Sequence, residues 1–155
     1  MLPYPKKFKI SSGAAVAKRE LVSFDKALID AGIANYNLLR VSSILPVGCV
    51  QADTVDKQEG SALLVAYGAY SSNVCGETIA SAVGIGVPND PDQVGVIMEY
   101  AGINNAAEAE QIVREMVTDA MENHKIECAD ILVSSVEKTI TTDEYVSVIS
   151  AVSLW

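Results

Sequence analysis

The sequence predicts an α+β fold, with β-sheets packed on one another and helices outside, and three observations lead there. Apolar stretches rich in β-branched residues recur along the chain, bounded by Gly, Pro, Asn or Asp. Only two segments carry helical periodicity, and strands and helices do not alternate as in a parallel βαβ array. At 155 residues and 50% hydrophobic, the chain suffices for one domain over 1–155 with a substantial core.

The elements follow in order. Lys7 to Val16 reads as a first strand. Ser23 is placed as an N-cap, followed by Phe24, Ala27, Leu28 and Ala31 on one helical face, with Gly32 as the stop. Asn37 to Ser42 has the length and branching of a buried strand, and Pro46 and Gly48 end the apolar run beyond it. Leu63 to Ala69, Thr78 to Val87 and Gln93 to Tyr100 supply three more strands. The clearest helix begins at Asn105 as cap, with Glu108 in the capping-box position. Ile112, Val113, Met116, Val117, Ala120 and Met121 then recur at helical spacing. Ile131 to Val136 and Tyr145 to Leu154 close the fold as strands around the turn-prone Thr141-Thr142-Asp143.

Composition excludes several functions. A net charge of -9 argues against nucleic acid, whose phosphates need a basic surface, and suits solubility or a cationic substrate. No apolar run approaches the roughly 20 residues of a membrane-spanning helix. Met1 to Lys7 has two lysines and no apolar stretch after them, so no secretory signal is expected. Cys49, Cys75 and Cys128 form no metal-ligand spacing, and their odd number suggests free thiols in a reducing cytoplasm. His124 is the only histidine and sits near a helix end, where a cation favours the dipole. Gly84-Ile85-Gly86 lacks the third glycine of a dinucleotide loop.

One dipeptide gains meaning from its surroundings. Ser42-Ser43 is one of four serine pairs, with Ser11-Ser12, Ser71-Ser72 and Ser134-Ser135. It lies in Asn37-Leu38-Leu39-Arg40-Val41-Ser42-Ser43-Ile44-Leu45-Pro46, which resembles the self-cleavage region of pyruvoyl-dependent arginine decarboxylases. Further blocks resemble that family in the same order: Phe24 to Leu28, Ala31 to Ile33, Ala66 to Gly68, Gly76 to Ile79, Ile97 to Tyr100, Val113 to Met116 and Ala151 to Trp155. The resemblance spans Lys7 to Trp155.

That resemblance implies a fold, a reaction and a set of roles. The fold is an αββα sandwich with central sheets and outer helices. The reaction is decarboxylation of L-arginine to agmatine and CO2 through a Schiff base on a pyruvoyl group derived from Ser43, without metal or pyridoxal phosphate. Such a carbonyl provides the electron sink that no ordinary side chain offers. To form it, the Ser43 hydroxyl attacks the carbonyl of Ser42 and turns the amide into an ester. Elimination leaves dehydroalanine, and hydrolysis releases ammonia. The products are a β chain of residues 1–42 and an α chain of residues 43–155.

Asn37 matches the asparagine that assists cleavage, for which fixed donors at the Ser42 oxygen are required; on its residues alone it equally starts a strand or ends a turn. Glu99 matches the glutamate that returns a proton to Cα. If it shares a strand face with Ile97, burial should raise its pKa and favour the protonated acid near neutral pH. Asp25 matches the aspartate that holds the guanidinium of the substrate, although a carboxylate in a first helical turn is also favoured by the dipole. Asp30 lacks such a match and reads as surface, and Lys26 is expected to point away from Asp25. The resemblance further implies cytoplasmic trimers or dimers of trimers, with active sites between neighbouring subunits. Two rival readings are a pyruvoyl-dependent decarboxylase of another amino acid, such as histidine, and an unprocessed, inactive trimeric scaffold.

Overall fold

A computed structural model describes residues 2–155. The element order is β1 (Lys7–Ala17), α1 (Glu20–Asp30), β2 (Asn37–Arg40), β3 (Ile44–Leu45), β4 (Val50–Gln51), β5 (Ala62–Ser72), β6 (Thr78–Pro88), β7 (Gly95–Ile103), α2 (Ala106–Asn123), β8 (Cys128–Thr139) and β9 (Tyr145–Leu154). Two sheets form among the described residues, one ordered β2-β5-β9-β1-β4 and the other β3-β7-β6-β8. They face each other through Phe8, Leu45, Ala66, Val83, Ile85, Ile97, Val152 and Leu154. The expected α+β sandwich is therefore present.

The helices cover the outer faces because each carries one apolar stripe. Ala27 and Leu28 of α1 pack with Leu63, Val65, Ile149 and Ala151 of the first sheet. On the second sheet, Val113 of α2 packs with Ala80 and Ala82, and Val117 and Met121 pack with Val96. Strand β9 is buried from Val146 to Leu154, since it lies mid-sheet and is covered on both faces. Each fully buried Val, Ile or Leu there contributes roughly 1.5–3 kcal/mol.

Helix ends obey local chemistry, with two departures from expectation. The Asn105 side chain accepts from the Glu108 N–H at 2.8 Å, as a cap should. The N–H of Asn105 itself goes to Asn104 Oδ1 at 2.9 Å, so Asn104 completes the pair of bonds in place of Glu108. At the end of α1, Gly32 has φ +75, and Ile33 N–H donates to Leu28 O while Gly32 N–H donates to Ile29 O. That glycine-terminated pattern satisfies the last carbonyls.

Ser23, by contrast, is no N-cap. The helix begins a turn earlier at Glu20, and buried Ser23 donates to Glu20 O at 2.6 Å and pairs with Ser147 across to β9. Asp25 consequently lies in the middle of α1 and not in its first turn, which removes the dipole as a reason for its being there. The strand after α1 is also corrected. It ends at Arg40, and as the edge strand of its sheet it exposes Asn37, Leu39 and Arg40 instead of burying them.

Candidate active site

The chain changes sheets at the serine pair. β2 runs parallel to β5, with Asn37 opposite Ala62 and Arg40 opposite Val65. β3 pairs antiparallel with β7 in the other sheet, Ile44 opposite Val96 and Leu45 opposite Gly95. Val41, Ser42 and Ser43 cross the gap outside any strand. Both ends of the crossing are tied down: Val41 N–H donates to Val65 O at 3.0 Å, and Ile97 N–H donates to Ser43 O at 2.7 Å. The hydroxyls of Ser42 and Ser43 have no hydrogen-bond partner among the described residues; in the other three serine pairs those of Ser12, Ser71, Ser72, Ser134 and Ser135 are bonded and the buried hydroxyl of Ser11 is not.

Glu99 comes to the same edge. Continuing the β3–β7 register places Ser43 opposite Ile97, two residues from Glu99. Alternation along β7 turns Ile97 and Glu99 toward the facing sheet, where Gly68 of β5 receives the glutamate. A Cβ on Gly68 would sit 3.3 Å from Glu99 Cβ and 3.2 Å from the Tyr100 backbone, so glycine leaves that space for the carboxylate stem. Burial pushes the Glu99 carboxyl above its ordinary range, and the Arg40 charge opposes this in part.

Asn37 and Asp25 stand apart from this pair. Asn37 Nδ2 donates to Gly60 O at 2.8 Å, fastening the start of β2, and no hydrogen bond joins it to Ser42 among the described residues. Asp25 is exposed on α1, outside the first sheet, while Glu99 lies between the sheets. Lys26 does point away, its Nζ donating to Val16 O at 2.7 Å. Asp30 is more than surface, since its carboxylate accepts from Ala14 N–H at 2.9 Å and ties α1 to β1.

Three further residues gather on the α1 side of the first sheet, where Asp25 also lies, and the sequence blocks that contain them gave them no role. The Arg40 guanidinium lies 4.3 Å from the centre of the Tyr67 ring and donates to Tyr67 O at 2.7 Å. Phe24 packs on the same ring, with centroids 6.3 Å apart. Phe24, Tyr67, Leu21, Glu20, Ala69 and Ser71 line an open concavity of about 400 Å³ beside α1. A larger apolar hollow of about 540 Å³ lies at the end of the sandwich by Leu45, Pro46 and Cys49, and none of the five expected site residues lines it. The signals for Arg40 and Tyr67 are long-range, because only the β2–β5 register brings them together.

Comparison with known proteins shows the family. The family model described as pyruvoyl-dependent arginine decarboxylase matches residues 7–155. The chain belongs to the pyruvoyl-dependent arginine decarboxylase family. Proteins of that name from Methanococcus aeolicus and Methanocaldococcus jannaschii are 36% and 35% identical to it, covering 99% and 97% of this chain and 93% and 90% of theirs. One from Pyrococcus abyssi is 33% identical, covering 97% of this chain and 96% of its own. A solved pyruvoyl-dependent histidine decarboxylase shares the fold at TM-score 0.54 and 13% identity, covering 66% of this chain. This chain spans only 54% of that structure. Within the family, the serine pair at the crossing and Glu99 beside it are the features that geometry brings together. Among the described residues, no group of His, Cys, Asp and Glu could hold a metal ion, and no helix is long and apolar enough to cross a membrane.

Proposed function

We propose that the protein is a self-processing decarboxylase that converts L-arginine to agmatine and CO2, using a pyruvoyl group made from Ser43. The observation that carries this reading is the bond between Ser42 and Ser43. It lies outside both sheets, with an unengaged hydroxyl next to the carbonyl it must attack, and each flank is anchored in a different sheet. Anchored flanks limit the positions the crossing can adopt, which favours approach of Oγ to its neighbouring carbonyl. Cleavage there gives a β chain of residues 1–42 and an α chain of residues 43–155. Asn37 would then serve cleavage by holding the start of β2 in place through Gly60.

A pyruvoyl group at residue 43 supplies an electrophilic carbonyl that forms a Schiff base with the substrate amine and accepts the electron pair released with CO2. Two residues from Ile97, the partner of Ser43, the carboxyl of Glu99 is held between the sheets where burial favours its protonated form. It is the group placed to return a proton to Cα. Asp25 pairs with the guanidinium of the substrate, for which an exposed carboxylate gives bidentate geometry.

Asp25 and Glu99 lie on different sides of the first sheet in one protomer, which supports a site completed by a second copy in a trimer or dimer of trimers. Leu21 and Ile29 of α1 are 76% and 61% exposed beside Asp25, an apolar surface that such packing would cover. Coexpressing Asp25→Ala with Ser43→Ala tests this division. If sites are shared between subunits, mixed oligomers assayed at arginine well below the raised KM of Asp25→Ala should recover roughly a quarter of wild-type activity, where neither parent alone turns over appreciably. No recovery in demonstrably mixed oligomers would confine each site to one protomer. For the reaction itself, intact-mass analysis should find two chains, and CO2 release should be fastest with arginine. Equal release from histidine or other amino acids would remove the arginine assignment.

A further inference from the structure

Strand β2 stops where its own sequence gives no reason to stop. Its ladder to β5 advances two residues at a time: Asn37 N–H donates to Ser61 O and Val41 N–H to Val65 O, both at 3.0 Å. No proline or glycine occurs from Leu38 to Leu45, and β5 runs on past Val65 to Ser72. The next rung of this parallel ladder, two residues further along each strand, would carry Ser43 N–H to Tyr67 O. That rung is missing, and Ser43 N–H has no acceptor among the described residues.

The acceptor is filled by a side chain instead. Arg40 lies opposite Val65 in the register and sends a guanidinium N–H to Tyr67 O at 2.7 Å. The same guanidinium lies 4.3 Å from the centre of the Tyr67 ring. Carbonyl and ring belong to one residue, so the planar cation is held at two points of Tyr67. With that carbonyl taken, the chain leaves the first sheet at Ser42. Its next backbone bond is made in the other sheet, from Ile97 N–H to Ser43 O at 2.7 Å.

The nitrogen left free is the one in the bond between Ser42 and Ser43. In the acyl shift, Ser43 Oγ bonds to the Ser42 carbonyl carbon, the C–N bond breaks, and the hydroxyl proton ends on the Ser43 nitrogen. Amide becomes ester and amine, with no other reactant. An N–H fixed in a ladder holds its peptide plane extended, whereas a free one lets the plane turn toward its own hydroxyl. Taking Ser42-Ser43 as the cleavage site, which rests on the function proposed above, we propose that Arg40 is a positioning residue for self-cleavage. By filling Tyr67 O it ends the β2 ladder one rung early and leaves the Ser43 nitrogen free to become the leaving amine.

Two measurements test this. The first follows cleavage by intact mass in wild type, Arg40→Met and Arg40→Lys. Arg40→Met keeps a stem on the ring without a donor and should cleave roughly ten- to a hundredfold more slowly. Arg40→Lys retains a donor for Tyr67 O and should recover much of the rate. The second follows hydrogen exchange of the residue 43 amide by NMR in the uncleaved Ser43→Ala chain. With Arg40 present that amide should exchange fast beside a protected Val41 amide. Adding Arg40→Met frees Tyr67 O, so the residue 43 amide should become protected by at least about tenfold. A variant that merely loosened the fold would move exchange the other way.

A protected residue 43 amide with Arg40 in place overturns the role of Arg40, and that arm needs no Arg40 variant to fold. Cleavage of Arg40→Met at the wild-type rate overturns it as well. A wild-type chain that never cleaves overturns the cleavage reading itself, and the role of Arg40 with it.

Discussion

The hydroxyls in the middle of the sandwich and the hydroxyls at the sheet crossing are the same chemical group in opposite circumstances. Inside, Ser150 pairs with Ser12 at 2.7 Å and with Ser81 at 2.8 Å, and Ser12 pairs onward with Ser134 at 2.7 Å. Those groups sit in long strands with their backbone in a ladder, so neither hydroxyl nor amide can leave its place without loss. At the crossing, Ser42 and Ser43 have free hydroxyls and a peptide bond between them that no ladder claims. The buried hydroxyls of Ser11 and Ser153 lack a partner as well, so what sets Ser42-Ser43 apart is a peptide bond outside both ladders between anchored flanks.

Substitutions can break or sharpen that contrast. Ser43→Ala has the largest expected effect: complete loss of cleavage and of activity, read as one uncleaved mass after prolonged incubation. Cleavage persisting in that variant would end the distinction between the two sets of hydroxyls. Glu99→Gln should cleave but lose roughly 10²–10⁴-fold in kcat, as removal of a positioned acid does. Pre-steady-state measurement of CO2 release against proton uptake would assign the loss to the protonation step. Asp25→Ala should raise the arginine KM by roughly ten- to a hundredfold, the scale of a hydrogen-bonded charge pair, with cleavage unaffected. An unchanged KM would remove Asp25 from the guanidinium subsite. Ser150→Ala has the smallest effect and completes the contrast. It leaves buried Ser81 without a hydroxyl partner and should cost about 1–3 kcal/mol, measured as a lower urea midpoint, while cleavage and kcat stay near wild type.

Much of this architecture was legible because long, doubly covered strands write their burial into composition. β5, β6 and β9 read clearly from runs such as Leu63 to Ala69, Thr78 to Val87 and Tyr145 to Leu154, and α2 from its Asn105 cap and apolar stripe. The start of α1 was not legible, because Arg19 caps it without a side-chain bond and Ser23 has the residue type of a cap while serving as a buried link to β9. The two-residue strands β3 and β4 carry no period at all, since their pairing is imposed by β7 and β1. Within the site, Ser42-Ser43 and Glu99 were marked by their neighbours in sequence. Arg40 was not, because its partner Tyr67 is defined only by a register between strands 27 residues apart.

The crossing has a last consequence, for the order of events in making this protein. Strand β1 lies between β9 and β4, and β2 borders β5, so everything before Ser42 is interleaved with strands from beyond Ser43. Under the proposed cleavage, the first sheet assembles most readily while the chain is still one molecule. A cut at residue 42 converts the fold into a two-component complex whose parts met only once at the high local concentration of a tether. Refolding of the cut protein from denaturant becomes a second-order encounter, slower on dilution, whereas the uncut Ser43→Ala chain refolds at a rate independent of concentration. Under the proposed cleavage, the covalent link is a folding aid absent from the finished protein.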